Sequence, residues 1–444
     1  MRAFSTRVRL LAGVAAGSLI FAACSSSGSK DTTAPDTTAA ASAETTAAAA
    51  DTTSSGADTT GAAVETTTAG SSDTTAAAAA AGNEAATGIK APDLPMATAV
   101  GAGEGELNLV AWAGYTEKAW VDPFTTASGC KVNVKVGNTS DEMVALMQTG
   151  DYDGVSASGD ATLRLIAAGE VAPVNTDLIA NYADVYAALK DKPWNSVGGK
   201  SYGVPHGRGA NLLAYNTDKI TPAPDSWNIV WDANSPAKGS VTAYDSPIYI
   251  ADAAVYLMST KPDLKITNPY SLDDTQLAAA LDLLKVQKGL VGEYWSDYTK
   301  QIAAFKAGST TVGTTWQVIA NSLLGEKAPV GVVLPKEGST GWSDTWMISA
   351  KAKHPNCMYL WMNEIISPKA NAAATEYFGE APANPKACEF TTDKNHCATF
   401  HAGDEDYFSK IWYWTTPVKD CIDGRGPICT DYAAWTKAWT ELKG

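Results

Sequence analysis

YGVPHGRGANLLAYN, residues 202–216, is the stretch from which the architecture of this 444-residue chain can be predicted. Val204-Pro205 favours extended backbone, because the residue before a proline is kept out of the helical region. Gly207 and Gly209 leave the backbone bare, and residues 211–216 form an apolar run that ends in a turn-forming asparagine. This pattern is typical of a strand that crosses between two lobes, with a ligand close to its backbone. The alternative interpretation is an ordinary central strand that follows a hairpin.

The amino terminus has the pattern of an export signal. Three arginines within the first nine residues precede the apolar run 10–23, which at about 14 residues is too short to span a bilayer stably. The sequence FAAC at 21–24 resembles a lipobox, in which the cysteine becomes the acylated first residue. We therefore predict a lipoprotein signal peptide over residues 1–23 and lipidation of Cys24. The alternative is simple secretion with cleavage near Ala23.

Residues 24–104 consist mainly of Ala, Thr, Ser, Asp and Gly, with few large apolar side chains. Such a segment cannot bury enough surface to offset its chain entropy, so we predict a disordered Ala/Thr-rich tether. A flexible chain of about 80 residues has a reach of roughly 50 Å, and an excess of acidic residues extends it further. The predicted protein is thus held at a membrane by its lipid anchor alone.

The roughly 340 residues that remain exceed the size of one ordinary hydrophobic core, so two lobes are expected. We assign residues 105–210 and 337–390 to a discontinuous lobe 1, residues 211–336 to lobe 2, and residues 391–444 to a disulfide-containing C-terminal segment packed on the lobes. The formal net charge of −15 argues against nucleic acid and anionic membrane surfaces as partners, and it is compatible with cationic ligands. We expect a monomer.

Six cysteines remain when Cys24 is set aside, and an even number in an exported chain predicts disulfides. The short loops favour the following pairs: Cys388 with Cys397, Cys421 with Cys429, and by remainder Cys130 with Cys357. The alternative is a zinc site, whose ligand types would come from Cys388, His396, Cys397 and His401. Since no C-x-x-C occurs and the predicted compartment is oxidising, we expect disulfides and no metal.

Strands and helices alternate along the folded part. The pattern predicts strands over 107–112 and 131–136 with a helix over 115–128 between them, and the alternation resumes after the crossing stretch. This order implies βαβ units on a mostly parallel sheet, whose ligands lie beyond the carboxyl ends of the strands. A second crossing is expected where 330–334 leads into 341–349. The predicted fold is therefore an α/β clamp of two lobes with a ligand cleft between them.

The candidate ligand-binding residues share a predicted place at this cleft: Trp112, Ala113, Tyr115, Ser158, Asp160, Asp245, Trp316, Trp342, Asp344 and Glu380. Carboxylates bind ammonium groups through charge-assisted hydrogen bonds, and an indole face attracts a cation. An acidic, aromatic-lined cleft therefore favours an aliphatic diamine or polyamine. The alternatives are structural: the tryptophans as core residues, and Asp160 and Asp245 as cap or turn residues.

Catalysis has little support in the sequence. The four histidines form no H-E-x-x-H pair, and no G-x-S-x-G elbow occurs. Carboxylate pairs are the catalytic groups of glycosidases, so a cell-surface carboxylate-dependent glycoside hydrolase is the alternative from another class. We predict no enzyme activity and no cofactor.

Several short segments are similar to those of a known family: residues 109–115, 152–153, 200–205, 215–216, 226–240, 313–316, 334–338 and 342–344. Over about 107–384 the chain resembles the extracytoplasmic solute-binding proteins of bacterial ABC importers, and their spermidine/putrescine-binding branch in particular. The resemblance implies a two-lobed type II periplasmic-binding-protein fold. It also implies permease subunits as partners and an extracytoplasmic location.

In that branch, the positions that match Trp112, Trp316 and Trp342 form the walls of an amine box, and those that match Asp344 and Asp245 are amine-binding carboxylates. The chain departs from the family pattern at four positions: Ala113 in place of a hydroxyl residue, Asp160 in place of an aromatic, Ile248 in place of an acid, and Glu380 in place of an aromatic. An acid lost at one position and gained at another could move a carboxylate across the cleft.

The sequence therefore predicts the extracellular substrate-binding component of an ABC importer. It would capture a small cationic solute, of the putrescine or spermidine kind, by closure of the cleft. The alternative within binding proteins is an oligosaccharide or another polar solute, because tryptophan platforms and aspartate acceptors also suit sugars.

Overall fold

The computed structural model describes residues 89–444. The predicted signal peptide, Cys24 and most of the predicted tether lie outside these residues. Within residues 89–444, no helix is both long and apolar enough to span a membrane.

Composition places residues 89–104 in the predicted tether, but the structure corrects that boundary. The carbonyl of Ala97 accepts a hydrogen bond from Asn175 Nδ2 at 3.0 Å. The Glu104 carboxylate accepts the backbone N–H of Cys357 at 2.9 Å, and Val100 packs against the hydrophobic core. These contacts are made with residues far along the chain, which composition alone does not reveal. The packed part of the protein therefore begins before residue 105.

The first of the two main sheets has five strands, in the order Lys131–Val136, Glu106–Ala111, Gly154–Ala157, Thr345–Ile348 and Val204–Pro205. The first three run parallel, and Thr345–Ile348 pairs antiparallel with both of its neighbours. Leu107 and Leu109 are fully buried on one face of the sheet. The helices of this lobe are Lys118–Ser128, Ser140–Gln148, Gly159–Ala168, Pro355–Ile365 and Pro368–Phe378.

The second main sheet also has five strands, in the order Val291–Trp295, Val241–Tyr244, Val312–Thr315, Leu212–Asn216 and Val330–Val333. The first three are parallel, and Leu212–Asn216 runs antiparallel to both of its neighbours. The Asp273 side chain closes a capping box with Gln276 at the start of one helix. The helices of this lobe are Asn228–Trp231, Ile250–Thr260, Asp274–Lys288, Tyr298–Ala307 and Gln317–Gly325.

A smaller sheet joins the two lobes, and the stretch 202–216 explains how. Val204–Pro205 belongs to the first sheet, Gly207–Ala210 to the small sheet, and Leu212–Asn216 to the second sheet. The predicted crossing is therefore confirmed, and the alternative of an ordinary central strand is wrong. The sequence predicts a ligand close to the backbone here. At Gly209 the close neighbour is instead the ring of Trp342, which a Cβ would overlap.

The small sheet contains three strands that run between the lobes rather than the two expected. Gly207–Ala210 pairs antiparallel with Ser339–Trp342, which pairs in parallel with Ile411–Tyr413 of the C-terminal segment. Ala381–Pro382 completes the sheet. The chain then ends in the helix Tyr432–Lys443, where the Leu442 carbonyl accepts a 2.7 Å hydrogen bond from Lys288 of the second lobe. The C-terminal segment thus crosses as well as packs, and it contains the short helices His396–Thr399 and Glu405–Phe408.

The disulfides have the three predicted pairings: Cys130–Cys357, Cys388–Cys397 and Cys421–Cys429. Because Cys388 and Cys397 are bonded to each other, neither is a thiolate that could bind zinc. The His396 ring contacts a different group: its Nε2 lies 3.0 Å from the backbone oxygen of Glu380. The zinc alternative is therefore wrong for these ligands.

Candidate functional site

A cavity of about 280 Å³ lies between the two lobes. This volume is slightly below the roughly 300–1,000 Å³ that clefts for drug-sized ligands occupy, so the cavity suits a small solute. Its aromatic wall consists of Trp112, Tyr298, Trp316, Trp342, Tyr377, Phe378 and Trp414. Its polar wall consists of Asn138, Ser158, Ser296, Asn321, Ser322 and Asp344.

The central residues of the cavity wall lie directly after the ends of strands. Trp112 follows Glu106–Ala111, Ser158 follows Gly154–Ala157, and Trp316 follows Val312–Thr315. All three strands point their carboxyl ends at the interface, where the ligands of parallel sheets are expected. The rings of Trp112 and Trp316 meet edge to face across the lobes, with centroids 5.7 Å apart. The result is an enclosure with an aromatic wall.

Asp344 is the charged group of the cavity. It links the strands Ser339–Trp342 and Thr345–Ile348, and its side chain is held by two hydroxyls. Ser158 Oγ donates to Asp344 Oδ1 at 2.6 Å, and the Tyr115 hydroxyl donates to Oδ2 at 2.9 Å. Burial raises the pKa of Asp344 to about 7; the Ser158 hydrogen bond opposes this rise, and the nearby Glu380 adds to it. Each carboxylate oxygen retains a lone pair for a further donor.

Glu380 lies behind Trp342 rather than at the cavity. Its Oε2 accepts from the Trp342 indole nitrogen at 3.2 Å, and its Oε1 is 3.3 Å from His206 Nε2. The other ring nitrogen of His206, Nδ1, accepts the indole N–H of Trp346 at 3.1 Å. The Glu380 side chain lines a separate cavity of about 350 Å³ on the far side of Trp342.

Asp160 is also absent from the cavity wall. It is completely buried in the first turn of the helix Gly159–Ala168, where its Oδ1 accepts from Ser140 Oγ at 2.7 Å. Burial raises its pKa to about 6, against the opposing effects of the Ser140 hydrogen bond and of Arg164. The carboxyl joins two helices of the first lobe, in accord with the structural alternative.

Asp245 is placed outside the cavity as well. Its Oδ1 accepts from the Trp439 indole nitrogen at 3.1 Å, and its Oδ2 lies 3.2 Å from the Lys443 ammonium. Both partners belong to the C-terminal helix Tyr432–Lys443. This helix lies beyond the region that resembles the family, so the sequence offered no reason to expect the pair.

The structure thus divides the candidate residues into two sets. Those that line the cavity are Trp112, Ala113, Ser158, Trp316, Trp342 and Asp344. Those that do not are Tyr115, Asp160, Asp245 and Glu380. Tyr115 is fully buried and acts on the cavity through its hydrogen bond to Asp344.

Comparison with known proteins identifies the family. The sequence profile of the family described as bacterial extracellular solute-binding protein matches residues 119–398. The chain belongs to this family. The description of the family gives its members an extracellular location and a solute-binding role.

Two curated relatives are similar to this chain over most of its length. The Putrescine/cadaverine-binding protein of Pseudomonas aeruginosa is 25% identical to this solute-binding protein, and the alignment covers 76% of this chain and 93% of the relative. The Spermidine/putrescine-binding periplasmic protein of Escherichia coli is 23% identical, with coverage of 62% and 76%.

Solved structures of two further proteins share the fold. The Tp0655 lipoprotein of Treponema pallidum superposes with a TM-score of 0.63 at 16% identity, covering 76% of this chain and 99% of that one. The spermidine/putrescine ABC transporter substrate-binding protein PotD of Streptococcus pneumoniae gives 0.61 at 18% identity, with coverage of 77% and 98%. The predicted two-lobed type II periplasmic-binding-protein fold is confirmed.

Sequence reasoning missed several wall residues of this solute-binding protein: Asn138, Tyr298, Asn321, Tyr377, Phe378 and Trp414. Trp414 follows the third crossing strand, and its ring stacks on Tyr244 with centroids 5.8 Å apart and planes 9° apart. The aromatic cluster Trp412-Tyr413-Trp414 was the available signal. It lies beyond the region of family resemblance, so nothing assigned it to the cleft.

Proposed function

We propose that this protein is the substrate-binding component of a bacterial ABC importer and that it captures a small organic cation of the polyamine class in the cavity between its lobes. The single observation that carries the proposal is Asp344, a buried carboxylate that faces an aromatic enclosure. A carboxylate supplies charge-assisted hydrogen bonds to an ammonium group, and indole faces attract the same charge. The relatives named for putrescine, cadaverine and spermidine support the same class of ligand.

Capture would work by closure of the lobes. Trp112 and Ser158 come from the first lobe, whereas Trp316 and Asn321 come from the second. A solute that touches both walls stabilises the closed arrangement and shifts the population toward it, because its affinity for the closed state is higher. The permease subunits would then receive the solute from the closed form.

The proposal includes the location at the membrane. After removal of the signal peptide, a lipid on Cys24 would hold the protein outside the cytoplasmic membrane, and residues 25–88 would separate the anchor from the binding lobes. The expected protein is monomeric and acts alone in capture.

Two alternatives give different results in the same assay. An oligosaccharide would also stack on tryptophans, but it has no need of a charged acceptor. Glycoside hydrolysis uses two carboxylates that flank the scissile bond, and Asp344 is the one carboxylate on the cavity wall within residues 89–444. The hydrolase alternative is therefore the weaker of the two.

Calorimetric titration of the purified full chain, stripped of co-purified solute, tests the proposal. Putrescine and spermidine are the ligands, and maltose is the control. Micromolar or tighter binding of an amine with no heat from maltose is the expected result. Binding of maltose alone, or silence toward both amines, would contradict the proposed ligand class and leave the fold unchanged.

A further inference from the structure

Asp245 already binds an ammonium group of the protein itself, that of Lys443. Lys443 Nζ lies 3.2 Å from Asp245 Oδ2 and 3.2 Å from the centroid of the Tyr294 ring. The Trp439 indole nitrogen donates to the other carboxylate oxygen at 3.1 Å. A carboxylate with aromatic rings around a cation is the chemistry of an amine site. Here the C-terminal helix fills that site.

Aromatic side chains separate this internal pair from the cavity. Tyr244, the residue before Asp245, is buried, and its ring packs on Trp316 at 5.3 Å and on Trp414 at 5.8 Å between centroids. Both tryptophans line the cavity. Asp245 therefore lies on the outer side of the wall whose inner side a ligand would contact.

The cavity itself offers one anionic group. Within residues 89–444, Asp344 is the one acidic residue among the wall residues. The other polar groups of the wall are neutral: the side chains of Asn138, Asn321 and three serines, the hydroxyls of Tyr298 and Tyr377, and the tryptophan indole nitrogens. Glu380, an acidic residue near Asp344, lies behind the Trp342 ring and does not line the cavity. A second ammonium inside the cavity would lose its hydration without gaining a carboxylate, which is costly.

We propose, on the basis of the function proposed above, that this protein recognises a single ammonium group, held at Asp344 within the aromatic wall. The far end of the ligand is uncharged and meets the neutral amides and hydroxyls. Among small organic cations, a primary amine with a hydroxyl or amide at its other end is accordingly recognised about as well as a polyamine. A diamine binds through one of its two ammonium groups and gains little from the other.

Ligands of matched length test this inference on the full chain. Putrescine carries an ammonium at each end of four methylenes, 4-amino-1-butanol replaces one ammonium by a hydroxyl, and n-butylamine replaces it by hydrogen. Calorimetry should give affinities for putrescine and 4-amino-1-butanol that agree within about threefold, with n-butylamine weaker. A loss of tenfold or more from putrescine to 4-amino-1-butanol would overturn the inference while leaving the proposed function intact.

The Asp245→Asn variant tests, independently of the ligand series, whether Asp245 contacts the second ammonium group of putrescine. Its affinity for putrescine should stay within about twofold of the parent protein, and its preference between putrescine and 4-amino-1-butanol should be unchanged. A selective loss of putrescine binding in this variant would show that Asp245 reads the second ammonium, and it would overturn the inference. Absence of binding for all three amines in the parent protein would overturn the inference and the proposed function together.

Discussion

Asp344 and Asp245 are two aspartates that the family resemblance assigns to the same task, yet they have different surroundings. Asp344 is held by the hydroxyls of Ser158 and Tyr115, and no cationic side chain within residues 89–444 is hydrogen-bonded to it. Asp245 is paired with the ammonium of Lys443. Hydroxyl donors orient a carboxylate without neutralising it, whereas a lysine supplies the charge that a ligand would otherwise bring. The comparison shows that matching a carboxylate by position does not establish whether it is available to a solute.

The largest expected effect comes from removing the available charge. Asp344→Asn keeps the size of the side chain but removes the negative charge, so amine affinity should fall by more than about tenfold, or roughly 1.4 kcal/mol. Calorimetric titration of both proteins with the same amine measures the change. Asp245→Asn is the matched control and should stay within about twofold. Equal losses in the two variants would break the comparison.

Acidic pH should weaken binding through the same carboxyl. Burial raises the pKa of Asp344 to about 7, so below that pH the group holds a proton and is neutral. An ammonium group requires the ionised form, and its binding must expel this proton. Affinity should therefore fall as the pH is lowered from about 8 to about 5, by at most about tenfold per pH unit.

Titrations of the parent protein and of Asp344→Asn across this range test the pH dependence. The variant should have a flatter profile, because it lacks the titrating carboxyl. Tyr115, Glu380 and the buried Asp160 face the same region, and all of them are retained in the variant. A parent affinity that is constant from pH 8 to pH 5 would show that Asp344 is ionised throughout.

Much of the fold could be predicted because local chemistry decides it. Val204-Pro205 and the glycines that follow require an extended, closely packed path, and the structure routes that path through three sheets. Gly198 and Gly199, with φ of 58° and 74°, make the hairpin that precedes it. The third crossing strand, Ile411–Tyr413, could not be predicted in the same way, since its pairing partner lies about 70 residues earlier in the chain.

The site was predictable where position on a strand determines it. Trp112, Ser158 and Trp316 each follow a parallel strand and therefore reach the interface. Asp245 also follows a strand, but the distant Lys443 decides its role. Trp414 was missed for the same reason, because its place in the cavity depends on long-range packing of the C-terminal segment.

A smaller effect is expected from the aromatic wall. Trp414→Phe keeps a ring at the cavity but replaces indole by the less electron-rich phenyl face. Amine affinity should fall about threefold, because cation–π contacts contribute roughly 0.5–2 kcal/mol and are strongest with tryptophan. Trp412→Phe is the matched control, since Trp412 does not line the cavity. If the control weakens binding as much as Trp414→Phe, the effect arises from the crossing strand rather than from contact with the ligand.

The smallest effect on amine affinity is expected at Lys443, the ion-pair partner of Asp245. Lys443→Gln removes the charge from a pair whose side chains are 26% and 36% exposed, so the free energy of unfolding should fall by at most about 1 kcal/mol. Thermal unfolding at low and high salt measures this loss, which should shrink at about 1 M NaCl as screening weakens the pair in the parent protein. The affinity for putrescine should stay within about twofold, because Tyr244, Trp316 and Trp414 still separate Asp245 from the cavity. A tenfold gain for putrescine over 4-amino-1-butanol in this variant would mean that the lysine alone kept Asp245 from the ligand.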